Sequence, residues 1–191
     1  MIRLFVGLRP PAAIRAQLLG LMGGIPGARW QDDDQLHITL RFIGDLDERA
    51  AEDAALALSG VHWPPLELAL EGVGAFDKRG RINAVWAGVR PKEPLAALHR
   101  KIDQALVRAG QPPEHRAYLP HITLARMNSP VELVERFVEA HGGLTSAPFT
   151  LDHFFLFESS LGHEGARYDA VARYPLAGSP SPKPASSPSR G

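Results

Sequence analysis

His37-Ile38-Thr39-Leu40 returns letter for letter as His121-Ile122-Thr123-Leu124, and the reading of this repeated word decides the fold. Only four threonines are present (39, 123, 145 and 150), and two of them follow a histidine at the same spacing. With 8 histidines in 191 residues, composition alone would place a histidine there about 0.2 times. One such pair is an ordinary half-exposed strand feature; two in identical apolar settings point to a site. Around the first copy the alternation is that of a β-strand, with Leu36, Ile38, Leu40 and Phe42 on one face and His37, Thr39 and Arg41 on the other. Around the second, His121, Thr123 and Ala125 share a face opposite Ile122 and Leu124. On that parity Arg126 falls opposite His121.

Outward from the two words, the chain reads as an α+β protein. A strand is expected over residues 2–8, and Pro10-Pro11 then opens a helix to about residue 22 with a stripe of Ile14, Leu18, Leu21 and Met22. The acidic run Asp32-Asp33-Asp34 reads as a solvated turn, and Gly44-Asp45 closes the first repeated strand. Asp47 caps a helix over 48–58 that ends at Gly60. A strand over 66–70 is followed by a loop punctuated by Gly72, Gly74 and Gly80, then a strand over 84–89 and an amphipathic helix over 93–109. A proline-rich loop over 111–120 delivers the second word, and a helix over 131–140 follows. Strands over 149–158 and 167–176 close the domain around a turn at 159–165. The folded domain is expected to span 1–176. Beyond it only Gly, Ser, Pro, Lys, Ala and Arg occur, a tail over 177–191 with too little apolar surface to order itself. The arrangement of a helix, the word and another helix occurs twice, which suggests two related halves.

Composition narrows the function classes. An apolar content of 45% suits a soluble globular chain, and 21 basic residues balance 21 acidic ones, so a polyanionic ligand needs a local cluster. The absence of cysteine excludes disulfides, thiolate catalysis and thiolate metal sites. Neither a membrane span nor a secretory leader is read, so a cytoplasmic monomer is expected.

On a strand, residues i and i+2 project together about 6.5–7 Å apart, so each word presents one imidazole with one hydroxyl. Were the two strands adjacent, two histidines and two threonines would converge. Such a set suits phosphoryl chemistry without metal or cofactor: a neutral imidazole takes a proton, a charged one gives a proton, and hydroxyls grip the phosphate oxygens. A metal centre is disfavoured, because two histidines supply too few ligands. Arg126 lies where it could reach a phosphate from the strand end. Lys78, Arg79 and Arg81 would make a basic lip for a nucleic-acid backbone, and Phe5, Phe76 and Trp86 would offer stacking surfaces to a base. His62, His99, His115, His141, His153 and His163 read as surface or capping residues.

The stretches Leu36-His37-Ile38-Thr39-Leu40-Arg41-Phe42-Ile43-Gly44 and Pro120-His121-Ile122-Thr123-Leu124-Ala125-Arg126 resemble the paired H-x-T/S-x motifs of the 2H phosphoesterases. More narrowly, the chain is similar to the RNA 2′,3′-cyclic phosphodiesterases, also called 2′-5′ RNA ligases. The likeness includes Arg3-Leu4-Phe5-Val6, Gly74-Ala75-Phe76 ahead of Val85-Trp86, and Ser159-Ser160 with Tyr168; the tail lies outside it. It implies two pseudo-symmetric lobes, each an antiparallel sheet backed by helices, with the motifs in a central cleft. It also implies metal-independent opening of RNA 2′,3′-cyclic phosphate ends to 2′-phosphomonoesters, which some relatives reverse as a 2′-5′ ligation. In the roles it carries over, His37 is the proton donor to the 3′ oxygen, His121 the proton acceptor that activates water, and Thr39 and Thr123 the phosphate grip. Two alternatives stand beside it: a non-catalytic module that binds RNA ends, and a phosphodiesterase for small cyclic nucleotides.

Overall fold

A computed structural model describes residues 1–162 and 165–178. His163 of the expected closing turn and 179–191 of the expected tail lie outside the described residues. In chain order the elements are β1 (Ile2–Leu8), α1 (Ala12–Leu19), β2 (Arg29–Trp30), a 3₁₀ turn (Asp33–Gln35), β3 (Ile38–Leu46), α2 (Glu48–Ser59), β4 (Leu66–Lys78), β5 (Arg81–Arg90), α3 (Lys92–Arg108), β6 (His121–Pro130), α4 (Val131–His141), β7 (Phe149–Leu151), β8 (His153–Gly162) and β9 (Gly165–Pro175). The fold is α+β, as expected.

The strands form one antiparallel sheet in the order β7-β4-β5-β6-β3-β1-β8-β9, with β2 added on β6. The two lobes foreseen from the sequence are its halves. They meet where β3 and β6, the strands of the repeated words, pair through Ile38 and Ile122. Both isoleucines are fully buried, as are Leu36, Leu40 and Leu124, so the apolar letters of each word anchor it in the core. Behind the sheet α2 packs on β1, β3 and β9, α4 packs on β4, β5 and β6, and α3 bridges α2 to β3. No helix among the described residues is long and apolar enough to cross a membrane.

The expected turn at 159–165 is mostly strand, with β8 running to Gly162 and β9 starting at Gly165, and β5 is longer at both ends than expected. Four other boundaries differ from the sequence reading, each for a local reason. Helix α1 stops at Leu19, where Gly20 closes its last turn. Strand β3 continues through Gly44-Asp45 to Leu46, because β1 pairs with it to the end and Arg3 donates two hydrogen bonds to Asp45 at 2.9 and 3.0 Å. The glycine-rich loop after residue 70 is strand: β4 runs on to Lys78, with Gly72 at φ 71° in a bulge. Gly74 lies under the Trp86 indole, which stands 2.3 Å from where a Cβ would be. The expected strand over 149–158 breaks at Asp152, where the chain crosses the molecule: β7 pairs with β4 in one half and β8 with β1 in the other.

Candidate active site

Each repeated word carries a β-bulge at its fourth letter. Against β1, Gly7 pairs with Thr39 but Val6 pairs with Arg41, leaving Leu40 as the extra residue. Against β5, Trp86 pairs with Thr123 but Val85 pairs with Ala125, leaving Leu124 as the extra residue. A bulge puts two successive side chains on one side and reverses the alternation after it. Leu40 and Arg41 therefore both turn inward, and so do Leu124 and Ala125.

This corrects the parity reading at three residues. Arg41, expected beside His37 and Thr39, is only 6% exposed and donates to Asp103 of α3 at 2.7 Å and to the Pro112 carbonyl at 2.6 Å. Phe42, expected in the core, is 43% exposed. Arg126, expected opposite His121, returns to the face of the histidine and threonine. Its positive charge bears on both His37 and His121.

The antiparallel register through Ile38 and Ile122 sets His37 across from Thr123, and Thr39 across from His121. Four reactive groups thus stand in two crossed pairs over the seam between the halves. Both imidazoles are oriented alike. Nδ1 of His37 is 2.7 Å from the Gln35 carbonyl, and Nδ1 of His121 is 2.7 Å from the Leu119 carbonyl. A carbonyl only accepts, so each Nδ1 carries the proton and each Nε2 is left as the titrating nitrogen. His37 Nε2 lies 3.1 Å from the Thr39 hydroxyl.

Aromatic rings wall in both histidines. Phe5 and Tyr168 stand 4.8 and 5.1 Å from His37 between ring centroids, and Phe76 stands edge-on to His121 at 4.9 Å. Burial among these rings disfavours the charged imidazolium. It pushes His37 down from 6.5 to about 4, with His121 and Arg126 adding repulsion. His121 is lowered by burial first and then by Arg126.

The remaining sequence candidates distribute unevenly. Phe5, at 3% exposure, is a wall behind His37 with no free face for a base. Phe76 is half-buried and borders the cleft beside His121. Trp86 covers Gly74 and approaches His121 to 6.2 Å. Arg81 is at the far end of β5 and donates to the side chain and carbonyl of Asn128. His121 pairs with Gly88, so strand rise puts Arg81 about 23 Å from it. Lys78 and Arg79 share that hairpin end, where Arg79 and Gly80 both take positive φ (58° and 76°).

Two features had no readable signal in sequence. The triple aspartate buttresses His37: Asp33 and Asp34 accept from Arg15 and Arg9 at 2.9 Å, and Asp32 caps the 3₁₀ turn that offers the Gln35 carbonyl. His99, read as a surface residue, is half-buried. It donates from Nδ1 to the Leu40 carbonyl at 2.6 Å and stacks on Tyr118 at 4.4 Å. The Tyr118 hydroxyl donates to the Thr39 carbonyl at 3.0 Å.

The sequence model of the 2′-5′ RNA ligase superfamily matches residues 24–163, which include both words. An RNA 2′,3′-cyclic phosphodiesterase of Archaeoglobus fulgidus is 28% identical over 169 residues, covering 87% of this chain and 96% of that protein. Another, from Geobacillus stearothermophilus, is 29% identical over 163 residues and 82% of this chain, which spans half of that relative's length. The crystal structure of E. coli LigT complexed with 3′-AMP superposes with a TM-score of 0.73 at 27% identity, covering 92% of this chain and 98% of that one. The repeated word, the seam it builds and these matches agree: the chain belongs to the 2′-5′ RNA ligase superfamily.

Proposed function

We propose that this protein hydrolyses RNA 2′,3′-cyclic phosphate ends to 2′-phosphomonoesters with two histidines and no metal. The observation that carries the reading is the crossed arrangement of His37, Thr39, His121 and Thr123, with both imidazoles held by Nδ1 so that both Nε2 atoms are left to titrate. The reaction is an in-line displacement. His121 Nε2 takes a proton from water as the water oxygen bonds to phosphorus; the phosphorus–O3′ bond breaks, and His37 Nε2–H delivers its proton to O3′. Thr39, Thr123 and Arg126 hold the non-bridging oxygens, whose charge redistributes during the displacement. Burial holds His37 down at about 4 in the empty site, and the negative charge of a bound cyclic phosphate favours the imidazolium that donates. The assignment of donor and acceptor rests on the family resemblance, since the two words are chemically symmetric.

A 5′-hydroxyl in place of water forms a 2′-5′ link by the same displacement, so ligation is the companion reaction. The relatives named above act, by their names, on RNA cyclic phosphates, and LigT holds 3′-AMP; both favour a nucleotide end as the group recognised here. Every group used comes from one chain, so a monomer in the cytoplasm, where RNA ends are processed, suffices. Domain 1–176 holds all of them.

The test is hydrolysis of an oligoribonucleotide 2′,3′-cyclic phosphate, with the position of the product phosphate identified. His37→Ala and His121→Ala should each lower kcat by about 10²–10⁴-fold while the circular dichroism spectrum stays that of the wild type. Either variant turning over within a few-fold of wild type, or a 3′-phosphate product, would overturn the reading. Retention of the RNA end without turnover by the wild type would favour a binding module instead.

A further inference from the structure

The carbonyl two places before each histidine accepts from its Nδ1, and at that place the two words are flanked differently. His121 bonds to Leu119, whose side chain has no polar group and is 39% exposed. His37 bonds to Gln35, and every polar atom of that glutamine is engaged. Its N–H donates to the Asp32 carboxylate at 3.0 Å, and its Oε1 accepts from the Asp32 N–H at 3.0 Å. These two bonds close a capping box on the 3₁₀ turn. Its Nε2 donates to the Ala166 carbonyl at 2.6 Å, which ties the turn to β9 across 131 residues of sequence.

Ala166 and Tyr168 stand two apart on β9 and so share a face of that strand. The Tyr168 ring is edge-on to His37 at 5.1 Å and to Phe5 at 5.2 Å between centroids. One glutamine side chain thus joins the turn that holds the Nδ1 acceptor to the strand whose ring packs on the same imidazole. The matching ring at His121, Phe76, lies on β4, to which an apolar Leu119 side chain can donate nothing. The Gln35 carbonyl also favours the imidazolium of His37, against the burial that disfavours it. The two proton transfers differ in what they demand of geometry. A donor to O3′ must meet an atom that the ribose ring holds in place, whereas an acceptor from water meets a molecule that can move to it. A misplacement of about 1 Å can cost about 10²-fold in rate, so the donor is the imidazole that gains from a fixed frame.

We propose that Gln35 is the positioning residue of His37: its side chain locks the acceptor of Nδ1–H and the Tyr168 ring into one frame, which holds Nε2 where the leaving O3′ takes its proton. The inference rests on the phosphodiesterase reading above. It adds a structural ground for His37 as the donor, which the identical words do not supply. Gln35 acts through His37 and transfers no proton itself.

The experiment combines kinetics on an oligoribonucleotide 2′,3′-cyclic phosphate, each variant at its own pH optimum, with imidazole nitrogen NMR spectra assigned through His37→Ala and His121→Ala. Gln35→Leu gives the first word the flank of the second. Its kcat should fall about 10–10²-fold with KM within about threefold of wild type. The His37 Nδ1–H tautomer should give way to a mixture while that of His121 stays. Gln35→Glu keeps the acceptor that closes the capping box but loses the donor to Ala166, and its kcat should fall about fivefold or more. This second variant carries the test if Gln35→Leu does not fold. A kcat within about twofold of wild type in either folded variant overturns the proposal, even where the melting temperature falls, as does an equal change at His37 and His121. Absence of turnover by the wild type would instead sink the phosphodiesterase reading. The frame is then judged by the spectra alone: a His37 Nδ1–H tautomer that persists in the variants overturns it, and one lost only at His37 upholds it.

Discussion

At the scale of single residues, the site is a problem in protonation. The proposed mechanism needs one histidine charged and one neutral, yet burial lowers both, His37 to about 4. The ligand-free protein therefore holds both imidazoles neutral at pH 7 and reaches the singly charged form only in acid. Since kcat/KM reports the free protein, its bell should centre below 6.5, the ordinary histidine value. A bound cyclic phosphate brings a negative charge that favours the imidazolium, so the bell on kcat should sit at higher pH. Arg126 lowers both histidines; Arg126→Ala should move the kcat/KM bell toward alkaline pH while reducing its height. Profiles from pH 4 to 9 check this, and a wild-type kcat/KM bell centred above 7 would contradict it.

At the scale of elements, the bulges do what the words alone cannot. One extra residue in β3 and one in β6 bring Phe42 and Arg126 to the cleft and send Arg41 to the helices. The Arg41–Asp103 ion pair, 6% and 19% exposed, ties β3 to α3 at 2.7 Å, and Asp103 also accepts from the Glu114 N–H at 3.1 Å. Removing one partner of a buried ion pair leaves the other uncompensated. Asp103→Ala should thus cost roughly 3 kcal/mol in chemical denaturation and loosen the loop that carries Tyr118. A loss under about 0.5 kcal/mol would show that the pair is no anchor. None of this is visible in hydrophobic alternation, which assumes an unbroken pleat; Leu40 and Leu124 look like ordinary inward residues in either case. The strand break at Asp152 is equally silent, since a period of two persists on both sides of it.

At the scale of the molecule, the fold is a near-repeat whose halves share one strand pairing, β3 with β6, and are clasped behind it by α3. Its N-terminal strand β1 pairs with β8 from the C-terminal part, so the half that holds His37 is completed only when the last strands arrive. All groups invoked in the proposed reaction lie before residue 177. The Pro- and Ser-rich segment after it should then be dispensable: a chain ending at residue 178 should keep kcat/KM within about twofold and an unchanged melting temperature. A larger loss of either would assign the tail a part in the folded domain or its site.

The sequence by itself determined the four groups of the candidate site, because a histidine and a threonine two residues apart share a strand face wherever that strand lies. It also determined the α+β class, through periods of two and of 3.6 that follow from local backbone geometry. Only the tertiary structure decided that the two words pair with each other through Ile38 and Ile122, and that Arg126 rather than Arg41 joins them. It alone placed His99 and Tyr118 against the backbone carbonyls of the first word. Those outcomes depend on which carbonyls find which donors across the sheet, and that competition between distant segments leaves no local pattern to read.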